Sequence, residues 1–172
     1  MTFEFINPGG EQHPPAAAGP DATGLDAAPE GDADPAAPSL FDRLGGRETV
    51  ERVVDAFYAR IEADEELRPL FPPEMAAGRE KQKLFMEQWL GGEPRYSELY
   101  GDPRLRRRHF PFVISERAAG RWLRHMTEAL RECAVAEDVV GEMLKTLAPL
   151  AHHMINEGDD VPREPLGDSF LR

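Results

Sequence analysis

The sequence predicts a single all-α domain, and three observations support this prediction. Apolar residues recur at the three- and four-residue spacing of a helix face in each long segment between residues 48 and 156. No segment alternates apolar and polar residues as a half-buried strand does. Glycine pairs at 45–46 and 91–92 separate helical segments. The helical part has about 120 residues, which is enough for one core.

The first long helix is predicted to begin at Glu48 or Thr49. Tyr58 follows Val54 by four positions, so we expect both side chains on the same buried face. A short helix is expected from Asp64, and a group of prolines ends it. The other apolar residues on the buried face of the long helix are Val50, Val53, Phe57 and Ile61.

A further helix is predicted over residues 76–90, with Phe85 and Trp89 on its buried face. Continuing this face backwards at helical spacing reaches Gln82 and then Gly78. A glutamine and a glycine on a buried face are unusual choices for packing alone. These two positions are therefore candidates for a functional role.

Residues 91–103 are rich in glycine and proline and are predicted to form a long loop, which in a compact domain is often functional.

A lone histidine follows a run of arginines after this loop. A short helix with arginines at 104, 106, 107 and 108 is expected to follow. Pro111 disfavours helical geometry at Phe110, so His109 lies in the last turn of this helix. It is a candidate metal ligand, an ordinary surface or core histidine being the alternative.

Two longer helices are predicted over residues 115–133 and 137–156. The first has an apolar face that includes Trp122, which alone would be interpreted as a core aromatic residue. The second contains Pro149, which we expect to bend it.

The two ends of the chain differ from the helical part in composition. Residues 1–38 contain seven prolines, nine alanines and seven acidic residues but no lysine or arginine. This segment can bury too little apolar surface to fold and is predicted to be a disordered acidic extension. The folded domain is predicted to span residues 39–158, and residues 159–172 are predicted to form a tail.

Charge and cysteine content exclude some classes of function. The net charge of −12 argues against general nucleic-acid binding. The single cysteine, Cys133, excludes an intramolecular disulfide. No apolar run is long enough to span a membrane, and no basic region followed by an apolar segment marks a secretion signal. We therefore expect a cytoplasmic protein with neither nucleic acid nor membrane as its partner.

Several short motifs together resemble the truncated haemoglobin family, and most closely its group II. The motifs are LFDRLGG, FYARI, RPLFP, LFMEQWLGG, DPRLRRRHFPF, RWLRHM and LAHHMIN, within residues 39–157. The resemblance implies a globin-like sandwich of two helices over two around a haem b group (iron protoporphyrin IX).

The resemblance also implies roles for single residues. His109 matches the histidine that ligates the haem iron. The side chains that match hydrogen-bond donors to a bound ligand are those of Tyr58, Gln82 and Trp122. The residues that match haem-contacting positions are Phe71, Gly78 and Phe85. Arg106 or Arg108 is expected to pair with a haem propionate, because a carboxylate fits the guanidinium fork.

These roles lead to an expected function. A coordinating imidazole must be neutral, and the carbonyl of Leu105 is the expected partner of its second nitrogen. Three donors converging on one apolar pocket favour slow O₂ release. We expect tight O₂ binding at ferrous haem iron, with redox chemistry on NO, as a dioxygenase, or on peroxide as a further use. The expected partners are small diatomic ligands, an unidentified reductase and a second copy in a homo-oligomer.

A second interpretation stays open at this point. The chain could be a haem-free helical regulatory or interaction domain on a globin-like scaffold, with the acidic extension as its binding segment. A cavity with room for a macrocycle favours the haem protein, whereas a filled pocket favours the second interpretation. RNA binding by the arginines is disfavoured because stacking aromatic residues and a wide basic surface are missing.

Overall fold

The computed structural model describes residues 37–165, and these residues form helices without any strand. The all-α prediction is thus confirmed for this part of the chain. The predicted disordered extension, up to residue 36, and the predicted tail, from residue 166, lie outside the described residues. None of the described helices is long and apolar enough to cross a membrane. The α-helices are α1 (Leu40–Leu44), α2 (Gly46–Ala63), α3 (Ala76–Trp89), α4 (Arg95–Tyr100), α5 (Leu105–His109), α6 (Glu116–Glu132) and α7 (Glu137–His153), with a 3₁₀-helix at Arg68–Leu70.

The four long helices pack as two over two. Helix α2 contacts α3, α6 contacts α7, and the contact of α2 with α6 joins the two pairs. The side chains of Phe57, Met126 and Met143 are fully buried between these helices. Each buried side chain of this size contributes about 1.5–3 kcal/mol to folding.

The buried face of α2 carries all the residues that the sequence pattern assigned to it. Val54 and Phe57 are fully buried, and Tyr58 is buried beside them. The helix begins after a sharp turn in which Gly45 and Gly46 have φ angles of +108° and +73°. Residues other than glycine rarely adopt such angles, so the glycine pair fixes where α2 begins.

Two short helices were not expected from the sequence. Helix α1 begins with a capping box, in which the Ser39 hydroxyl accepts from the Asp42 N–H and the Asp42 carboxylate accepts from the Ser39 N–H. Helix α4 lies within residues 91–103, where the sequence predicted only a loop. Its Ser97 exchanges two hydrogen bonds with the Gln88 side chain, at 2.7 and 2.9 Å. Tertiary contacts of this kind leave no local sequence signal.

The last helix is shorter than predicted. The apolar spacing extended it to Asn156, but α7 ends at His153. The backbone N–H groups of Asn156 and Glu157 donate instead to the carbonyl of Ile114, at 3.0 and 3.1 Å. Bonds to a distant segment thus replace the continuation of the helix.

A buried carboxylate ties the end of α2 to α6. Asp64 follows α2, and its side chain is 2% exposed. It accepts from the backbone N–H groups of Glu66 and Leu67, at 2.9 and 3.1 Å. From α6 it accepts two hydrogen bonds from Arg121, at 3.0 and 2.7 Å, and one from His125 Nε2, at 2.6 Å. This cluster fixes the corner between α2 and the 3₁₀-helix.

The same contacts favour the ionised form of the carboxyl group. The hydrogen bond from His125, then those from Arg121 and from two backbone N–H groups, holds the pKa of Asp64 well below its usual range, although burial opposes this. A lowered folded-state pKa adds stability that is present at neutral pH and is lost as the pH falls. The cluster should therefore weaken in acid.

We expect Asp64→Asn to lower the free energy of unfolding by about 2–4 kcal/mol at neutral pH, since a charged acceptor of several buried donors is lost. Urea unfolding between pH 7 and pH 3 measures this. The wild type should lose stability below about pH 4, where Asp in the unfolded chain takes up a proton, and the variant should lack that part of the slope. Asp160→Asn, at an exposed site, is the control. Equal behaviour of the two variants would contradict the assignment.

Candidate functional site

A cavity of about 200 Å³ lies between the helices. A site for one water needs only about 15 Å³, so this space is far larger than a packing defect. Its walls come from α2 to α7 and from the segments that follow the 3₁₀-helix and α5, and they are mainly apolar. Seven of the residues predicted from the sequence line it: Tyr58, Phe71, Gly78, Gln82, Phe85, His109 and Trp122.

One nitrogen of the His109 imidazole already has a hydrogen-bond partner. His109 is the last residue of α5, and its Nδ1 lies 2.7 Å from the carbonyl oxygen of Leu105. Because a carbonyl can only accept, Nδ1 carries the proton, and the Nε2 lone pair of the neutral ring is left for another partner. Burial lowers the pKa of His109 below its ordinary value, so the neutral form is favoured. A neutral, oriented imidazole of this kind suits metal coordination.

Three side-chain donors from three helices line the same cavity. Tyr58 belongs to α2, Gln82 to α3 and Trp122 to α6. Within residues 37–165, neither the Tyr58 hydroxyl, nor the Gln82 amide, nor the Trp122 indole N–H has a hydrogen-bond partner. Donors left without partners at a cavity wall are available to a polar ligand inside it.

Aromatic neighbours hold Tyr58 in place. Its ring packs edge-on against Phe57 and Phe71, with centroids 5.7 and 6.1 Å apart. Phe57 in turn packs edge-on against Trp122 at 5.2 Å. Burial raises the pKa of Tyr58 to about 12. The hydroxyl therefore remains protonated, and remains a donor, throughout the neutral range.

Gly78 leaves space beside this hydroxyl. A Cβ atom at position 78 would lie 3.4 Å from the Tyr58 hydroxyl oxygen, which is an ordinary contact. A longer side chain would extend into the cavity beside the hydroxyl. The glycine that was unusual for packing on α3 thus keeps the wall open next to a donor.

The two arginines predicted to contact a cofactor do not line the cavity. Arg106 donates to the carbonyls of His153 and Ile155 and forms an ion pair with Asp159 at 2.9 Å. Arg108 is buried, and its Nε donates to the carbonyl of Pro103 at 2.8 Å. Both side chains bind neighbouring segments of the chain.

Sequence reasoning missed a cation in the wall. Lys81, on α3, lines the cavity, and its ammonium nitrogen lies 4.9 Å from the centroid of the Tyr100 ring. Lys81 follows Gly78 by three residues, and this helical spacing could have placed it on the same face. A lysine on an amphipathic helix is normally assigned to the solvent face, however. Tyr96 also lines the cavity and was missed, because α4 was predicted as loop.

The remaining histidines of the described residues lie elsewhere. His125 donates to Asp64 in the corner cluster. His152 is exposed near the end of α7, and His153 is half-buried beside it. His109 is thus the histidine of the cavity wall.

This set of groups fits a haem. Apolar walls suit a flat macrocycle, the Nε2 of His109 suits its iron, and a cation in the wall suits its carboxylates. The unpartnered donors suit a small polar ligand beside the metal. Fold and cavity together are those expected of a helical haem protein.

Comparison with known proteins identifies the family. The family model for bacterial-like globins matches residues 39–156. The chain is 37% identical over 118 residues, which cover 69% of it and 89% of the relative, to the group 2 truncated hemoglobin YjbI of Bacillus subtilis. The chain belongs to the truncated haemoglobin family, in its group II.

Solved structures agree with this assignment. The hemoglobin of the thermophilic phototrophic bacterium Chloroflexus aurantiacus has 45% identity and a TM-score of 0.68, covering 70% of this chain and all of that one. The truncated oxygen-avid haemoglobin of Bacillus subtilis has 34% identity and a TM-score of 0.66, covering 69% of this chain and all of that one. The predicted two-over-two globin fold is therefore confirmed.

The Tyr58 pKa can be tested by ultraviolet difference spectra of the haem-free protein against Tyr58→Phe. We expect tyrosinate absorbance from Tyr58 only above about pH 11, because burial disfavours the charged form. Since the folded-state pKa lies above the unfolded value near 10, the stability that Tyr58 adds is complete below about pH 10 and declines as the pH rises towards 12. Tyr100→Phe is the control. Ionisation of Tyr58 near pH 10 would contradict a buried donor.

Proposed function

We propose that this protein holds haem b through His109 and binds O₂ tightly in the space lined by Tyr58, Gln82 and Trp122. One observation carries the proposal. A single cavity contains an imidazole whose free nitrogen is unprotonated and three donors that have no partner among the described residues. Packing alone explains neither feature.

His109 and the apolar lining of the cavity make different contributions to ligand binding. When bound, haem would supply an iron that binds O₂, NO or CO and exchanges electrons with O₂ and NO. The Nε2 of His109 would hold the haem iron, and the bond from Nδ1 to the Leu105 carbonyl keeps the ring in one tautomer and orientation. The apolar lining, which includes Phe85 and Phe71, excludes water from the site.

The donors are expected to slow the release of a diatomic ligand that carries partial negative charge. Each hydrogen bond of this kind is worth about 1–2 kcal/mol, and about 1.4 kcal/mol corresponds to tenfold in rate or affinity. The similar Bacillus subtilis protein is described as oxygen-avid, which supports the same property here. Tight binding suits chemistry on the ligand better than delivery of it.

We propose that the same site carries out redox chemistry on NO or peroxide. A protein that holds O₂ for long periods is suited to oxidise NO, and the same site could reduce peroxide, with electrons supplied by a separate reductase. The donors of the cavity wall would orient either substrate.

The haem carboxylates need cations near the cavity. Lys81 is the lysine of the lining, and we assign it as one partner of a propionate. The same role for Arg106 or Arg108 stays a prediction. Both guanidinium groups would have to leave carbonyl acceptors to take it.

The alternative of a haem-free interaction domain requires a filled pocket. The cavity of about 200 Å³ is not filled by side chains, and three donors interrupt its mainly apolar walls. This observation favours the haem protein.

The role of His109 is tested by His109→Gly, with absorption spectra of the reduced protein before and after CO. We expect a haem band that shifts with CO in the wild type and is altered or lost in the variant, because the imidazole nitrogen proposed to hold the iron is removed. Imidazole added to the solution should restore it. His152→Ala, an exposed histidine outside the cavity lining, is the control. A variant with the wild-type spectrum, or a wild type without a haem band when haem is ample, would refute the proposal.

The donor role is tested by the double variant Tyr58→Phe/Trp122→Phe. Loss of two donors should speed O₂ release by roughly 30-fold or more, at about 1–2 kcal/mol for each donor. Stopped-flow displacement of O₂ by CO measures the rate. The matched control is Tyr100→Phe/Trp89→Phe, which removes the same groups from outside the cavity lining. Release as slow as in the wild type would show that the donors do not act on the ligand.

A further inference from the structure

The chain that follows α7 returns to the end of α5. Residues 155–164, named the strap below, form no helix or strand. They lie against residues 110–114, named the hinge, which connect α5 to α6. Two backbone bonds from the strap, from the N–H groups of Asn156 and Glu157, end on the carbonyl of Ile114.

The side chain of Asn156 joins both ends of the hinge. It is 1% exposed. Its Oδ1 accepts from the Ile114 N–H at 3.2 Å, and its Nδ2 donates to the carbonyl of His109 at 3.2 Å. One buried amide thus connects the candidate iron ligand to the last residue of the hinge.

Arg163 fixes the orientation of that amide. One of its terminal nitrogens donates to Asn156 Oδ1 and to the carbonyl of Phe110, both at 2.8 Å, and the other donates to the Asn156 carbonyl at 3.0 Å. Because Oδ1 faces two donors, from Arg163 and Ile114, the Nδ2 group is left to face the carbonyl of His109.

Two arginines of α5 also bind the strap. Arg106 donates to the Ile155 carbonyl at 3.2 Å and to the carboxylate of Asp159 at 2.9 Å. Arg107 donates to the carbonyl of Glu164 at 3.1 Å. Two of the four arginines that precede His109 therefore hold the strap.

Helix α5 needs such contacts because it is very short. It has five residues, and the residue that precedes it, Arg104, has a φ angle of +42° and makes no side-chain cap. Isolated helices of this length are unstable in water. His109 is the last residue of α5, so bonds from outside the helix must hold its backbone.

We propose that the strap positions His109, with Asn156 as the positioning residue and Arg163 as the group that orients it. The consequence for iron ligation rests on the proposed function, but the ordering of α5 and the hinge does not. Asn156→Asp isolates the proposed bond. The aspartate keeps an acceptor for Ile114 and Arg163 and places an oxygen, instead of a donor, against the carbonyl of His109.

The first experiment uses the full-length protein without haem. Amide hydrogen exchange is measured by mass spectrometry in wild type, Asn156→Asp and Asn156→Ala. We expect exchange of residues 105–114 to become at least tenfold faster in both variants, with α2 and α6 unchanged. Unchanged exchange in residues 105–114 overturns the proposal. An equal increase in all helices also overturns it, because that result indicates a general loss of stability.

The second experiment uses the haem-loaded protein and reports on His109 directly. Resonance Raman spectra of the reduced, ligand-free protein contain the iron–histidine stretching band. We expect the band to shift or broaden in Asn156→Asp, and haem transfer to an acceptor globin to become about tenfold faster. A band at the wild-type position with unchanged haem transfer overturns the positioning role.

Controls separate this inference from the proposed function. Asp160→Asn replaces an exposed carboxylate of the strap whose side chain forms no hydrogen bond or ion pair within residues 37–165, so it should leave the band at its wild-type position. If the wild type takes up no haem, the proposed function fails, and the exchange experiment alone decides whether the strap orders His109. If His109→Gly removes the band while Asn156→Asp leaves it unchanged, His109 is the ligand and the strap does not position it.

Discussion

The structure depends on one constraint, which is that a small helical core leaves about 200 Å³ open at its centre. Side chains do not fill this space, so core packing alone does not set the distance between its walls. The walls cannot collapse inwards without destroying the site, so they have to be held apart by contacts outside the cavity.

Two buried polar side chains provide such contacts at two segments that have little regular secondary structure. Asp64 fixes the corner after α2, and Asn156 fixes the hinge after α5. Each of them accepts or donates bonds from segments that have little regular structure of their own. Buried polar groups with all their bonds satisfied specify one arrangement of the backbone, whereas apolar contacts tolerate several. Apolar side chains thus line the cavity, and buried polar side chains fix the segments around it.

Much of this could be predicted from the sequence. The buried face of α2 was predicted correctly because its apolar residues repeat at helical spacing. Gln82 and Gly78 were identified as candidates because they interrupt an apolar face of the same kind on α3. Helix α4 could not be found, since its stability comes from Gln88 and Phe85 on another helix. The partners of Arg106 are carbonyl oxygens far along the chain, and backbone carbonyls have no sequence signature.

The strap also has a consequence for the order in which the site forms. The residues that hold the His109 carbonyl and the Phe110 carbonyl follow them by 47 and 53 positions in the chain. During synthesis, α2 and α3 can meet long before Asn156 and Arg163 have left the ribosome. Contacts of such long sequence separation form late in folding, because loop closure has to precede them. His109 is therefore expected to be among the last groups to become ordered. Under the proposed function, haem insertion then waits until nearly the whole domain has been made.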